Sequence, residues 1–165
     1  MPADAGKAPG VTVVRWASGE RLGDILTLIH DAFGGLEPPS SVLTETVEDI
    51  KRRQRDGVVL VAQVDGAFAG SLFCEVKHGG FYLTRMAVAP ARQKRGIGRL
   101  LMAAAEAEAR SRGLSRLTLR VRTSLPDNLA YFSTLGFTVT GRGQDPGRAP
   151  YVTMERALGD TVRSS

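Results

Sequence analysis

The chain has 165 residues, 42% hydrophobic and 24% charged, which suits one globular domain rather than two or a disordered chain. Its net charge of +5 permits a nucleic-acid partner but equally suits a phosphorylated small ligand; aromatics are only 6% and are not interleaved with the basic residues, which argues against a base-stacking surface. No apolar run is long enough to cross a bilayer, the opening MPADAGKAPG lacks a secretory apolar segment, the lone Cys74 excludes an internal disulfide, and His30 and His78 lie far from any Cys/His cluster, so a cytoplasmic protein with no metal and no membrane partner is expected.

Residues 1–10 are rich in Pro, Gly and Ala and read as a disordered tail; 11–158 read as a single domain and 159–165 as a frayed tail. The β-branched run Val11 to Trp16 reads as a first strand. Ser18 or Gly19 then caps a helix with Leu22, Ile25, Leu26, Ile29 and Phe33 on one stripe, stopped by Gly34-Gly35. His30, beside that stripe, reads as a satisfied core or surface histidine. After a loop stiffened by Pro38 and Pro39, Thr44 starts a second helix, acidic at its head (Glu45, Glu48) and basic at its tail (Arg52, Arg53, Arg55), as the helix dipole favours. Those arginines read as a solvated helix end.

Val58 to Val64 is an apolar run of strand length, Asp65-Gly66 a hairpin turn, and Ala67 to Lys77 the returning strand, with Cys74 as a buried thiol. His78-Gly79-Gly80 turns the chain again into Phe81 to Val88, giving an antiparallel meander. In this last strand Phe81 and Leu83 share one face under strict alternation, whereas Met86 and Val88 share the other. The parity changes between Leu83 and Met86, as a β-bulge would cause, and a bulge releases backbone groups from the ladder.

The stretch Gly80 to Arg112 is the centre of the chain: strand, basic loop (Ala89-Pro90-Ala91-Arg92-Gln93-Lys94-Arg95), then a helix opening at Gly96-Ile97-Gly98. Ile97, Leu100, Leu101, Ala104, Ala105 and Glu108 form its core-facing stripe. Amides at a helix start beside glycines make an anion site, and Lys94, Arg95 and Arg99 add positive charge. Gly113 ends the helix, and Leu117, Leu119 and Val121 alternate with polar residues in a strand that a βαβ crossover makes parallel to the Gly80s strand. Pro126-Asp127 opens a short helix ended by Gly136; Phe137 to Gly141 and Tyr151 to Leu158 are the last strands, joined by a Gly/Pro/Asp loop.

Three glycine-loop patterns compete. A P-loop needs Gly-Lys-Ser/Thr, but Gly98 is followed by Arg99-Leu100. A dinucleotide fingerprint needs a small residue where Leu101 sits, and a tighter turn than the loop before Gly96. The third pattern, Gln/Arg-x-x-Gly-x-Gly/Ala, is present as Gln93-Lys94-Arg95-Gly96-Ile97-Gly98.

With YLTRMAVAP before it and RLLMAAAEAEARSRG, LTLRV and NLAYFSTLGF after it, in that order, the chain resembles the GNAT superfamily of acyl-CoA-dependent N-acetyltransferases over roughly residues 11 to 158. The resemblance implies a mixed α/β fold: a twisted, mostly antiparallel sheet of about seven strands, about four helices, and a V-shaped split between two central parallel strands. It implies acetyl-CoA as cosubstrate. Pantetheine would pair with the freed backbone of Met86, Ala87 and Val88. Pyrophosphate would rest on Gln93, Lys94, Arg95, Gly96, Ile97, Gly98 and Arg99. Asn128 matches a family position that contacts the cofactor.

The reaction so implied is direct attack of an amine on a thioester within a ternary complex. An amine resembling lysine is neutral in only about one in 10³ molecules at pH 7, so its proton must go somewhere. The Val88 N–H would stabilise the charge developing on the carbonyl oxygen. Many relatives protonate the leaving sulfur from a tyrosine four residues before the glycine of Leu-Gly-Phe; here that position is Phe132, kept as a cofactor-lining residue. Tyr131 is adjacent but about 100° around the helix. It is carried as the candidate general acid, against a packing or cofactor-lining role. Glu75, Tyr82, Glu37 and Asp127 are candidate bases by location, and Glu75 is chosen because its strand lies beside the bulged one. Arg120 and Arg122 share a strand face and would favour an acidic acceptor if that face lines the cleft, against a solvated edge.

These readings lead to an N-acetyltransferase acting on a small-molecule or peptide amine, with a homodimer allowed. The alternatives are a non-catalytic acyl-CoA-binding or sensing module, motivated by Phe132, and an acetyltransferase for an RNA-linked amine, motivated by the charge.

Overall fold

The computed structural model describes residues 10–159. In chain order it contains β1 (Val11–Arg15), α1 (Leu22–Phe33), α2 (Val47–Asp56), β2 (Val58–Val64), β3 (Ala67–Lys77), β4 (Gly80–Val88), α3 (Ile97–Ser111), β5 (Arg116–Arg122), α4 (Pro126–Thr134), β6 (Thr138–Gly143) and β7 (Tyr151–Ala157). Short 3-10 turns occupy Ser41–Thr44 and Pro90–Arg92. The two expected tails, apart from Gly10 and Gly159, lie outside the described residues.

The strands form one sheet in the order β1-β2-β3-β4-β5-β7-β6. Every neighbouring pair is antiparallel except β4 and β5, which are parallel, as the α3 crossover between them requires. This is the mixed, mostly antiparallel seven-stranded sheet that the sequence predicts.

Alternation along the strands sends side chains into two cores. Val58, Leu60 and Ala62 of β2, Leu72 and Cys74 of β3, and Leu117, Leu119 and Val121 of β5 meet Ile97, Leu101, Met102 and Ala105 of α3, with Leu129 and Phe132 of α4 packed on the same cluster. On the opposite face Val59 and Val61 of β2 and Phe73 of β3 meet Leu22, Ile25, Leu28 and Ile29 of α1 and Ile50 of α2. The sheet therefore separates an α3/α4 side from an α1/α2 side.

Helix starts differ from the sequence expectation for local reasons. Ser18 spends its hydroxyl accepting from the Glu20 amide at 2.9 Å, so it does not cap α1. The cap is Arg21, in left-handed conformation (φ 59°), whose guanidinium reaches the Gly66 carbonyl and lies 3.9 Å above the Phe68 ring. The second helix begins later than Thr44, because Thr46 and Asp49 close a reciprocal capping box. β6 begins after Phe137, which turns into the core at 2% exposure while its amide bonds back to Phe132.

The bulge expected in β4 is present. Register passes from Ser71↔Ala87 to Phe73↔Thr84, so Leu72 alone faces both Arg85 and Met86. Phe81 and Leu83 belong to the α3-side cluster, Met86 and Val88 pack against that same cluster, and Ala87 belongs to the other. Arg85 is the inserted residue and takes a positive φ of 52°.

β4 and β5 pair only at Phe81↔Leu117 and Tyr82↔Thr118. Beyond those two rungs the strands diverge, leaving Leu83–Val88 facing Leu119–Arg122 across a gap. A bulge sharpens local twist, which turns β4 away from its neighbour at the place where pairing stops.

Candidate active site

On the α3 side the gap leads to the start of α3. The loop from β4 passes through Lys94 (φ 65°) and Gly96 (φ 83°) before the helix begins. Gly96 is the N-cap and offers no side chain to the first-turn amides. These amides therefore point outward unsatisfied, with the positive end of the helix dipole behind them. Lys94, Arg95 and Arg99 are exposed around them, whereas Ile97 is 2% exposed and offers only its backbone. Left-handed φ at Gly96 costs roughly 1–2 kcal/mol for a residue with a Cβ, so glycine is favoured there.

Val88 continues this polar surface into the gap. Ala89 donates its amide to the Ala69 carbonyl of β3 at 2.8 Å. Backbone groups of successive strand residues point to opposite edges, so those of Val88 point away from β3 and across the gap. The Gln93 side-chain amide donates to the Val88 carbonyl at 3.2 Å, tying the basic loop to the strand.

Tyr131 of α4 meets both parts. A methyl group built on Gly98 would lie 2.5 Å from the Tyr131 hydroxyl and 3.5 Å from Met86 Cε. The phenol thus lies between the helix start and the bulge. Burial raises its pKa above the usual tyrosine value, partly offset by Arg99. Phe132 turns the other way, edge-on to Phe137 with ring centroids 5.9 Å apart, and packs on the core. Asn128 is exposed in the first turn of α4.

The opposite face carries charge on side chains. Glu45 is only 8% exposed and accepts from two arginines. Arg85, the bulge residue, grips both carboxylate oxygens through Nε and Nη2, and Arg53 of α2 does so from the other side at 3.3 and 3.5 Å. The His30 ring is 3.1 Å from the Glu45 carbonyl, and Ser71, fully buried, donates to the Arg85 carbonyl at 3.1 Å. The bulge is thereby clamped by groups from α1, α2, β3 and the loop before α2.

Farther along this face, Arg120 and Arg122 project from the divergent half of β5, opposite in direction to Leu119 and Val121. Arg122 donates to the Pro38 carbonyl at 2.6 Å, drawing the α1–α2 loop over the gap. Arg120 stacks 4.2 Å above the Tyr151 ring and lies 3.5 Å from Asp145. Tyr82 stands beside them. Burial raises its phenol, while Arg120 and Arg85 act in the opposite sense.

A profile of the acetyltransferase (GNAT) family matches residues 22–137, more than half of the chain. The chain belongs to the GNAT family. No curated protein matches the sequence significantly. Among solved structures, the fold is shared with the ribosomal-protein-S18-alanine N-acetyltransferase of Escherichia coli at TM-score 0.71 and 21% identity, over 93% of this chain and 99% of that one. It is shared with Ard1 of Thermoplasma volcanium at TM-score 0.78 and 17% identity, over 92% and 99%. PaiA N-acetyltransferase of Thermoplasma acidophilum, solved in complex with coenzyme A, matches at TM-score 0.75 and 18% identity, over 90% and 99%.

GNAT enzymes use acetyl-CoA, and the groups present suit that cosubstrate: uncapped amides and cations for a diphosphate, and a bare strand edge for an amide-bearing arm. The structure brings together Met86, Val88, Gln93 to Arg99 and Tyr131, while Phe132 lies beneath them in the core. It does not bring Glu75 to them. Glu75 pairs with Tyr82 at the closed end of the split, whereas Val88 pairs with Gly70. Five strand residues separate the two positions, roughly 16 Å at ~3.3 Å per residue, too far for direct proton transfer. Glu75 instead lines a small recess, open to solvent, with Arg52, Arg53, Asp56 and Thr84.

Sequence reasoning missed Glu45 and Arg85. The parity break did mark the bulge, but nothing local signals that its inserted residue reaches a carboxylate 40 positions away. Among the described residues no group of His, Cys, Asp or Glu is placed to hold a metal, and no helix is long and apolar enough to cross a membrane.

Proposed function

We propose that this GNAT enzyme transfers the acetyl group of acetyl-CoA to a primary amine of a small molecule or peptide, by direct attack within a ternary complex. The observation that carries the reading is continuity. The Val88 backbone faces the split, and the loop that follows it, tied back by the Gln93 bond to the Val88 carbonyl, ends at the uncapped start of α3. Met86 to Val88 would hold the pantetheine arm and Gln93 to Arg99 the diphosphate, with the cations near the phosphate charge. Acetyl-CoA supplies the activated acyl group when bound. The chain's own contribution is to orient it, to present the Val88 N–H to the oxygen that gains charge, and to hold the Tyr131 proton near the departing sulfur. A thiol pKa of about 8.5 makes that sulfur a tolerable leaving group, so the Tyr131 proton accelerates the step without being indispensable.

Phe132 motivates a purely binding role, but Tyr131 offers a phenol at the helix start that Phe132 lacks, and this favours turnover. The basic charge gives little support to an RNA-linked acceptor. Arg52, Arg53, Arg85, Arg110, Arg112, Arg120 and Arg156 all have carboxylate partners, so much of the charge is matched within the protein.

Titration calorimetry with acetyl-CoA, followed by release of free thiol over an amine panel, tests the proposal. Binding lost in Gly98→Val and turnover with at least one amine are expected. Absence of binding at tens of micromolar protein would remove the acetyltransferase reading, and binding without turnover would leave a sensor. Cys74 will not interfere with thiol detection: burial, with a smaller push from Glu108, holds its thiol far above the ordinary range.

A further inference from the structure

The acceptor must approach the thioester from the sheet face opposite α3, because the α3 face at the split is taken by the diphosphate cradle. This follows only if the proposed acetyltransferase reading is correct. The residues on that approach are Tyr82 and Thr84 of β4, Arg120 and Arg122 of β5, Tyr151 of β7 and the Pro38 turn. Two of them are cations on the divergent half of β5, and they differ in how far they are committed.

Arg122 is engaged with the Pro38 carbonyl, so one of its donors holds the loop. Arg85 is engaged by both carboxylate oxygens of Glu45. Arg120 is not committed in this way. Its side chain is 40% exposed, and its one carboxylate contact, Asp145, is 59% exposed at 3.5 Å, an exposed pair that solvent screens and that holds the guanidinium only weakly. Its guanidinium is nevertheless held in place by stacking on Tyr151 at 4.2 Å. A pre-oriented guanidinium with spare donors, beside a half-buried phenol, is built to receive a planar anion. The carboxylates of this face do not neutralise it. Glu45 is consumed by two arginines, and neither Glu75, opposite Tyr82 and near enough to act on its phenol, nor Glu155, opposite Thr118, makes an ion pair with Arg120.

We infer that the natural acceptor is an amine that also bears a carboxylate, and that Arg120, stacked on Tyr151 with the Tyr82 hydroxyl beside it, binds that carboxylate in place of Asp145. Arg122 acts by keeping the Pro38 turn over the bound acceptor. Arg120 is thus the specificity-determining residue of the acceptor side.

The test compares amines in matched pairs, each amino acid or dipeptide against its own carboxamide, in the full-length protein. The carboxylate member should show a kcat/KM roughly 10–100-fold higher. Arg120→Gln should abolish that preference through KM, with kcat and acetyl-CoA affinity little changed. Asp145→Asn, which frees the guanidinium, should lower KM for the carboxylate. Arg55→Gln, which removes the same charge at the exposed end of α2, should leave the preference intact. Equal use of acid and amide, or an unchanged preference in Arg120→Gln, would overturn the inference while leaving the acetyltransferase reading standing. If acetyl-CoA binds but no amine in the panel turns over, saturation-transfer NMR on the coenzyme A complex decides the matter. Carboxylates that bind and their amides that do not, with binding lost in Arg120→Gln, support the inference; no such difference sinks it.

Discussion

The two faces of the sheet present their polar groups by different means. On the α3 side the polar groups are main-chain: the uncapped amides after Gly96 and the backbone of Val88. On the α1/α2 side they are side chains: Glu45, Arg53, Arg85, Arg120 and Arg122, drawn from four separated segments. Main-chain groups depend on conformation and tolerate changes of side chain. Side-chain groups depend on identity and on neighbours distant in sequence. On the proposed reading, a cosubstrate common to a whole family would be bound by the part of the molecule least sensitive to side-chain drift, and the acceptor would be left to the part most sensitive to it.

The sharpest way to break this contrast is Glu45→Ala. It leaves the Arg85 and Arg53 guanidinia unpaired beside a core, and removal of one partner from a buried ion pair costs about 3–5 kcal/mol. At ~2–4 °C per kcal/mol, thermal denaturation should show a midpoint lowered by roughly 6–20 °C. Glu45→Gln, which keeps the shape and one acceptor oxygen, should fall between wild type and Ala. A midpoint unmoved in Glu45→Ala would show that the clamp is not structural.

Tyr131→Phe comes next. If the phenol protonates the leaving sulfur, kcat should fall roughly tenfold or more with acetyl-CoA affinity unchanged. The sign of the pKa shift matters. A raised value keeps the proton on the phenol past pH 10, so no alkaline loss of rate from this group is expected below that pH. A Tyr131→Phe rate equal to wild type would reduce the residue to packing.

The third comparison sets backbone against side chain directly. Gly96→Val must adopt a left-handed φ at a cost of roughly 1–2 kcal/mol, and it disturbs every amide after it. Calorimetry should show acetyl-CoA binding weakened about tenfold or more. Lys94→Ala and Arg95→Ala remove exposed charges of the kind worth about 0.3–1 kcal/mol at a helix end, so each should weaken binding less than about fivefold, with the difference vanishing at high salt. The reverse ranking would mean that side chains hold the diphosphate.

The smallest effect is acid sensitivity. Burial alone would raise Glu106, but its bonds to Arg110 and Arg156 outweigh that and hold it below the ordinary value. Asp49 is also lowered, by the Thr46 backbone and then Arg52. Both carboxyls bind protons less readily folded than unfolded. The stability they contribute is present above pH ~4.5 and is lost as pH falls through their folded values, giving a shallow decline in thermal midpoint below pH ~4.

How much of this could be read from sequence followed the same division. The helix-start glycines, the basic loop and the parity break lie within one contiguous stretch, Gly80 to Arg112, and strand and helix periods decode them locally. The α1/α2 face could not be read this way, because Glu45 was indistinguishable from an acidic helix-start residue until the fold placed it against Arg85. Tyr131 is instructive. The helical step of about 100° from Phe132 was sound, but the reference direction was not. Phe132 faces Phe137 in the core, so the same step carries Tyr131 toward Gly98. Only tertiary packing fixes which residue of a short helix is the inward one.

Arg85 has one further consequence. As the extra residue opposite Leu72, it works as a frame insertion in the two-residue alternation of β4. Paired in regular alternation with no bulge, the same residues would carry Met86 and Val88 to the α1 side and Ala87 to the α3 side. The loop would then leave the sheet on the wrong face for α3 to cover its core. Whether this one residue is bulged out thus decides on which side of the sheet the chain delivers its helix, and Glu45, by holding Arg85, stabilises that choice from a distance.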